Sequence, residues 1–154
     1  MKIENTILYH GSYMAVEKPD LAQCRKGKDF GRGLYLTTDK KQAERFAKTS
    51  VRKAIQNRIV SPQTKEGFVS MFKVKPLSDL KVFDFKDADK EWLHCVVGHR
   101  KFGSLKGETE KWIGFDIICG KIANDDTNLV ITAYIDGAYG EIGSEKADEK
   151  SIVF

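Results

Sequence analysis

The chain has 154 residues, of which 41% are hydrophobic and 31% charged, and its formal net charge is +4. This composition excludes a disordered chain, and no apolar stretch reaches the roughly 20 residues that a membrane-spanning helix needs. The size predicts one compact domain over residues 1–154, which buries a core without disulfides or a structural metal.

The N-terminus and the cysteines indicate a cytoplasmic protein. Residues 1–6 lack the apolar core of a signal peptide. The three cysteines, Cys24, Cys95 and Cys119, are odd in number and share no ligand-like spacing, so neither a disulfide framework nor a zinc site is indicated. The mild positive charge permits an anionic partner, such as nucleic acid or a dinucleotide, without requiring one.

The first part of the chain predicts two strands and a helix. Residues 7–10 are a candidate strand closed by Gly11 and Ser12, and a polar, basic loop follows over residues 17–31. A second short strand is predicted over residues 33–37. Apolar residues then recur at steps of three and four, which predicts an amphipathic helix over residues 40–58. Asp39 and Gln42 can form a capping box at its start.

The remaining part mixes β-rich and helical segments. Strands are predicted over residues 68–74, 80–85 and 115–119, helices over 87–100 and 128–135, and a strand-like end over 151–154. A glycine-rich segment, residues 137–143, lies between the last helix and that end. The order of elements predicts an α+β domain without an internal repeat.

Two short motifs are candidates for a ligand-binding cleft. The first is His10-Gly11-Ser12, and the second is the GxGxY sequence that runs from Gly31 to Tyr35. Each has an ordinary structural interpretation, because Gly and Ser often end strands and glycines recur in tight turns. Tyr35 and Phe46 could equally be core aromatics. The order and spacing of the motifs together favour a binding site.

This combination resembles the first two signature elements of the diphtheria-toxin and poly(ADP-ribose) polymerase class of ADP-ribosyltransferases. Phe46 stands eleven residues after Tyr35, which is the spacing of the second stacking aromatic in the polymerases. Residues 29–37, with the sequence DFGRGLYLT, and the Gln42-Ala43 pair are also similar to a family of bacterial domains related to these transferases. That family often occurs in toxin or defence settings. The resemblance implies an ADP-ribosyltransferase-like split β-sheet core with flanking helices, NAD as the co-substrate and no metal.

The resemblance also implies roles for individual residues. The backbone N–H and C=O of Gly11 can hold the nicotinamide carboxamide, and His10 can bind a ribose hydroxyl, with Ser12 adding a further contact. Tyr35 can stack on the nicotinamide ring, with Phe46 as a second face. Gly33 belongs to the same implied NAD-binding set. In the basic loop, four cations could either extend a basic patch of the predicted helix over residues 40–58 or hold the pyrophosphate of NAD: Arg25, Lys26, Lys28 and Arg32.

The chain departs from that class at two places. Ala43 stands where the polymerases have a small hydroxyl residue that contacts the carboxamide. The third element is usually a glutamate on a later strand, which stabilises the oxocarbenium-like transition state. Glu141 and Glu149 are the candidates here, and either could instead be an ordinary surface charge.

Residues 115–126 also look like a signature of the bacterial family. Within them, Asn124, Asp125 and Asp126 could contact a ligand or cap the following helix, and capping is the more frequent role of such residues. His94 and His99 lack a partner pattern, so we expect structural or exposed histidines.

The predicted helix over residues 40–58 has a basic face. Its cations are Lys40, Lys41, Arg45, Lys48, Arg52 and Lys53. Such a face is usually solvated, but it could also steer a nucleic acid.

The sequence thus predicts an NAD-dependent mono-ADP-ribosyltransferase that acts as an intracellular bacterial toxin or antiphage effector. It would modify a nucleic acid or a protein with release of nicotinamide, and an antitoxin protein is its predicted partner. The alternatives are a non-catalytic NAD or ADP-ribose binding module and an NAD glycohydrolase.

Overall fold

The computed structural model describes residues 3–75, 78–123 and 125–152, and within them the chain is a mixed α+β protein. The described strands are β1 Ile7–Ser12, β2 Phe68–Lys73, β3 Val82–Asp84 and β4 Ile117–Cys119. The described α-helices are α1 Lys40–Gln56, α2 Lys90–Arg100, α3 Asp125–Ile135 and α4 Glu145–Ser151. No helix in these residue ranges has the length and apolarity needed to span a membrane.

The described residues form two compact units. One, here called the strand–helix unit, contains residues 3–23, 34–75 and 78. The other, here called the aromatic unit, contains residues 24–33, 79–123 and 125–152. The GxGxY motif is divided between them, since Gly31 and Gly33 belong to the aromatic unit and Tyr35 belongs to the strand–helix unit.

In the strand–helix unit, a two-stranded antiparallel sheet packs on helix α1. Strands β1 and β2 pair from Ile7 opposite Lys73 to Ser12 opposite Phe68. Helix α1 buries four small or medium side chains spaced three or four residues apart: Ala43, Ala47, Val51 and Ala54. A Cβ atom added to Gly11 would lie 1.9 Å from the carbonyl oxygen of Ala43. The backbones of β1 and α1 are therefore in direct contact at Gly11, and only glycine permits this contact.

The predicted cap of α1 is confirmed for Asp39 and wrong for Gln42. The Asp39 side chain accepts a hydrogen bond of 2.8 Å from the N–H of Lys41. The Gln42 side chain instead accepts from the hydroxyl of Thr37, and that hydroxyl oxygen accepts the N–H of Asp39 at 3.1 Å. Thr37 therefore takes the place that the capping box gives to Gln42.

The strand predicted over residues 33–37 is not formed. Only an isolated bridge joins Tyr9 to Thr37, and residues 34–36 lie outside any strand. The His10 imidazole makes a hydrogen bond of 2.8 Å to the Tyr35 carbonyl oxygen. In a β-ladder, that carbonyl would instead accept a hydrogen bond from a backbone N–H of the neighbouring strand. A single bridge of this kind leaves the segment as a loop tied to the edge of β1.

The aromatic unit is organised around helix α2 and a parallel strand pair. The α2 helix starts at Lys90 because Asp89 caps it, accepting the N–H of Trp92 at 3.0 Å, and it buries every residue from Trp92 to Gly98. Strand β3 pairs with β4 from Val82 opposite Ile117. Aromatic rings fill the space beside these elements, with the centroid of Phe83 4.9 Å from that of Trp112.

Helix α4 is where the sequence prediction is wrong, because Ser151 ends a helix and does not begin a strand. Ser144 caps this helix by accepting the N–H of Ala147, and Ala147 and Ser151 are buried four residues apart on one face. The segment therefore has helical periodicity once its cap is recognised. Residues 153–154 of the predicted strand lie outside the described residues, as does the predicted cap at Asn124.

Candidate functional site

The strand–helix unit holds His10 by a hydrogen bond to the loop after the basic segment. The ring Nδ1 of His10 is 2.8 Å from the backbone oxygen of Tyr35. Because a carbonyl oxygen can only accept, Nδ1 carries the proton and donates it. In the neutral ring, Nε2 then keeps its lone pair and can accept a hydrogen bond from a ligand hydroxyl.

Gly11 directs its peptide groups to the edge of β1 that faces away from β2. The N–H and C=O of Tyr9 bond Thr37 at 2.8 and 2.9 Å. Alternate residues of a strand point these groups to opposite edges, so those of Gly11 point the same way as those of Tyr9. Within the described chain, the bridge at Tyr9 is the only isolated one, and it does not extend to Gly11. A donor and an acceptor therefore lie side by side next to His10.

The packing against α1 gives Gly11 a structural reason to be glycine. The space in front of its Cα is filled by the backbone of Ala43 and Ala47, with the N of Ala47 2.7 Å from an added Cβ. The missing side chain thus serves helix packing, whereas the peptide groups at the open edge remain available to a ligand. Ser12, the last residue of β1, is half-buried and pairs with Phe68.

The two aromatic candidates belong to the same unit as His10. Tyr35 is half-buried, and its backbone is the partner of His10. Phe46 is 49% exposed on α1, outside the stripe of alanines that the helix buries. An exposed phenylalanine of this kind has not been used as core, which leaves the predicted stacking role open.

The first residues of the DFGRGLYLT segment anchor it in the aromatic unit. Arg100 donates two hydrogen bonds to the same carboxylate oxygen of Asp29, at 2.9 and 2.6 Å, and one to Asn128 at 2.8 Å. Phe30 stacks on Phe85 with a centroid distance of 5.8 Å. Gly31 has a φ of +82° and packs on the His99 ring, so it too is explained by structure.

Arg32 and Gly33 differ from their neighbours. Arg32 is exposed, and its Nε donates to the backbone oxygen of Cys24 at 3.0 Å. A Cβ added to Gly33 would have no atom within 4 Å, and the residue lies outside the left-handed region. Neither packing nor backbone geometry therefore requires glycine at position 33, in contrast to Gly11 and Gly31.

The two candidate carboxylates lie in the aromatic unit, and neither is on a strand. Glu141 is exposed in the turns before α4, and Glu149 is exposed on α4 itself. The prediction that Glu149 leads into a strand is wrong, because the segment around it is helical.

One known protein family matches nearly the whole chain. A family model described as Protein of unknown function (DUF3990) matches residues 6–150. The chain belongs to the DUF3990 family. The match runs from β1 to α4 and includes both units of the fold. No curated protein and no solved structure matches the DUF3990 chain.

A buried polar network in the DUF3990 chain has no counterpart in the sequence prediction. The Nε2 of His94 lies 2.9 Å from Asp148, and the Tyr134 hydroxyl donates to the same oxygen at 2.6 Å. The Lys90 ammonium is 2.8 Å from the other oxygen of Asp148. Position 94 was expected to be structural or exposed, and it is structural. Only the four-residue spacing of Lys90 and His94 is visible in the sequence, because Asp148 is brought in by a different helix.

This network shifts the pKa values of its members. Burial acts to raise the pKa of Asp148, but hydrogen bonds from Lys90, Tyr134 and His94 outweigh it and hold that pKa below its usual value. The pKa of the Tyr134 hydroxyl is raised by burial and by its bond to Asp148. Asp148 is therefore an ionised carboxylate inside the unit, neutralised by its partners.

Two cavities bordered by described residues of the DUF3990 chain do not coincide with the predicted site. A cavity of about 480 Å³ borders His94 and a second of about 410 Å³ borders Cys119, both in the aromatic unit. Neither is lined by His10, Gly11 or Tyr35. The first is lined by carboxylates and ammoniums in near balance, which favours no particular ligand. Among the described residues, no group of three or more His, Cys, Asp or Glu could hold a metal ion.

Proposed function

We propose that this DUF3990 protein is an NAD-dependent mono-ADP-ribosyltransferase whose nicotinamide site lies at the open edge of β1. The observation that carries the proposal is the placement of His10, fixed by its bond to the Tyr35 backbone, beside the outward-facing peptide of Gly11. His10 and Gly11 of the first motif and Tyr35 of the second thereby lie within the strand–helix unit, which supports the resemblance to ADP-ribosyltransferases.

The open edge of β1 is complementary to nicotinamide. A carboxamide presents one acceptor oxygen and one donor N–H group, which match the N–H and C=O of Gly11. Tyr35 supplies a flat face for the ring, and Phe46 is the candidate for the second face. The Nε2 of His10 accepts from a ribose hydroxyl, because Nδ1 is already committed to the Tyr35 carbonyl.

In the proposed reaction, the bond between the ribose C1′ and the nicotinamide nitrogen breaks, and the electron pair leaves with nicotinamide. Positive charge develops on the ribose, as in glycoside hydrolysis, and an acceptor N or O forms the new bond to C1′ while losing its proton to a base or to solvent. Holding nicotinamide between aromatic and peptide groups orients the leaving group. The resemblance, and not the placement of these residues in the structure, makes Arg32 and Gly33 candidates for binding NAD, and Glu141 and Glu149 candidates for contacting the ribose.

The biological setting belongs to the same proposal. We propose that the protein is an intracellular bacterial toxin or antiphage effector with an antitoxin protein as its partner. The acceptor is a macromolecule, either a nucleic acid or a protein.

The test uses NAD labelled in its adenosine half together with total bacterial RNA, DNA or lysate. We expect label on one of these fractions and an equal amount of released nicotinamide. Tyr35→Ala should lower the rate about tenfold or more through loss of stacking, whereas Tyr35→Phe keeps the ring and should retain activity. His10→Ala should also lower it. The enzyme assignment is wrong if neither label transfer nor nicotinamide release occurs with any fraction.

A non-catalytic NAD or ADP-ribose binding module is the second candidate. It is favoured by the position of Glu141 and Glu149, which are exposed and lie on no strand. This candidate requires calorimetric binding of NAD that Tyr35→Ala weakens, without any nicotinamide release. Nicotinamide that appears in the absence of every macromolecule would instead identify a glycohydrolase.

A further inference from the structure

The positive charge of the chain is concentrated on helix α1. The sequence of the helix contains six Lys or Arg and one Glu, which gives it a formal charge of +5. The whole chain carries +4, so all residues outside the helix together carry −1. The rest of the chain is thus nearly neutral, and the net positive charge of the protein comes from this helix.

Four of these cations form a single stripe, here called the α1 stripe: Lys41, Arg45, Lys48 and Arg52. At 3.6 residues per turn they fall within an arc of about 60° and extend over about 16 Å of the helix. All four are exposed. They lie on the side of α1 away from its buried alanines.

Among the charges of the α1 stripe, only that of Arg45 has an ion-pair partner within the described protein. Its members follow one another at steps of four, three and four residues, so each faces a like charge, which destabilises a helix. Arg45 has an ion pair with Asp39 at 3.7 Å, but both side chains are more than half exposed, so the pair is weak. In the described residue ranges, no ion pair is made by Lys41, Lys48 or Arg52.

We propose that the α1 stripe is a docking surface for the phosphodiester backbone of a nucleic acid. A polyanion relieves the repulsion along the stripe and releases condensed counterions on binding, which supplies the affinity. A membrane surface is the poorer partner, because the arc contains no exposed apolar side chain to insert and Phe46 lies about 130° away around the helix. The inference needs no NAD chemistry, so it can stand or fall apart from the proposed function. If both hold, the docked nucleic acid is the acceptor.

The test measures the fluorescence anisotropy of labelled 16-nucleotide single-stranded RNA, single-stranded DNA and duplex DNA, all of mixed sequence, without NAD. Four phosphate contacts predict that affinity falls about 50-fold for a single strand and about 150-fold for a duplex between 50 and 200 mM salt. The arm that binds tightest at 200 mM identifies the type of nucleic acid. No binding in any arm at 50 mM salt overturns the proposal.

The decisive variant carries Lys41→Gln, Arg45→Gln, Lys48→Gln and Arg52→Gln. Glutamine is a good helix former, so α1 should persist. We expect its affinity at 100 mM salt to fall at least about 100-fold and its salt dependence to become nearly flat. The pair variant Lys48→Gln with Arg52→Gln should halve the salt slope, and it keeps the test available if the quadruple variant does not fold.

A matched control removes four exposed lysines of the aromatic unit, through Lys81→Gln, Lys106→Gln, Lys146→Gln and Lys150→Gln. This control lowers the net charge by four, as the quadruple α1 variant does. The proposal therefore requires that the control keep most of the wild-type affinity and most of its salt dependence. An equal loss in this control would mean that net charge alone binds the nucleic acid. Competition by polyglutamate as strong as by nucleic acid would also overturn the proposal, because the surface would then accept any polyanion.

Discussion

The two units of this DUF3990 protein are stabilised in opposite ways. The aromatic unit buries large rings such as Trp92 and Trp112, together with an ionised carboxylate, Asp148. In the strand–helix unit, Gly11 of β1 packs against the alanines of α1, and Phe46 and Phe68 are about half exposed. In the aromatic unit, substitutions that remove atoms or charge should lower the free energy of unfolding most. In the strand–helix unit, a substitution that adds a single carbon should do so. Most of the residues predicted to bind NAD lie in the strand–helix unit, where large side chains such as Phe46 are not buried in a core.

The largest effect is expected from Asp148→Ala in the aromatic unit. The substitution leaves the buried His94 and Tyr134 side chains without their shared acceptor, and each buried polar group left unsatisfied costs about 1–3 kcal/mol. Urea unfolding monitored by tryptophan fluorescence measures this free energy. Glu149→Ala, at the exposed next position, is the control and should change it by less than about 0.5 kcal/mol. A small loss in Asp148→Ala would show that the network does not stabilise the unit.

Gly11→Ala tests the opposite behaviour in the strand–helix unit. The new Cβ would lie 1.9 Å from a backbone oxygen of Ala43, so β1 and α1 must separate, and we expect a loss of about 3 kcal/mol or more in the free energy of unfolding. Gly33→Ala is the matched control, since a Cβ there meets nothing within 4 Å. It should leave stability unchanged or slightly raised. If Gly33 binds NAD as the resemblance implies, Gly33→Ala weakens NAD binding in calorimetry without any cost in stability.

Acid should weaken the aromatic unit through Asp148. Its folded-state pKa lies below the usual 3.8, so its contribution to stability is fully present above pH 3.8 and is lost as the pH falls through the lower folded value. The difference in free energy of unfolding between the wild type and Asp148→Asn should therefore be constant near neutral pH and shrink below pH 3.8. Urea titrations at pH 6 and pH 3 measure it. A difference that grows on acidification would contradict the assigned ion pair.

The smallest effect concerns thiol reactivity, which reports on the closed state of the aromatic unit without altering it. Burial raises the pKa of Cys95 to about 12, and it also raises that of Cys119. Since only the thiolate is reactive, iodoacetamide at pH 8 should modify Cys24, which is half-buried, and spare the other two. Mass spectrometry should find one added group in the native protein and three after unfolding. Rapid modification of Cys95 would mean that the core opens readily.

Local signals were sufficient for most of the secondary structure. The apolar residues that predicted α1 include Ala43 and Val51, which the helix buries, and Phe46, which it leaves half exposed. Asp39 predicted the first turn of the helix. The strand at 33–37 was predicted from the strand propensity of its residues, and the prediction was wrong. The backbone of this segment bonds the His10 side chain, a residue distant in the sequence, and local propensity does not reveal such a contact. Helix α4 was missed because a seven-residue helix gives too short a pattern for periodicity to reveal.

The candidate site was predictable in its residue types but not in its spatial grouping. The pairing of His10 with the carbonyl of Tyr35 is a long-range contact that no spacing rule supplies. Gly11 was expected to bind nicotinamide through its peptide groups, and the structure adds a packing reason for glycine at this position, the contact with α1. The Asp148 network was invisible for a similar reason, because its members come from three helices.

The close contact between Gly11 and α1 also affects how mutational data on this protein should be interpreted. In a saturation scan, every substitution at position 11 should score as loss of function, including in an assay that reports only protein abundance. Intolerance at this codon therefore carries no information about ligand binding. Variants at positions 33, 35 and 46 are more informative, because activity and abundance can diverge there.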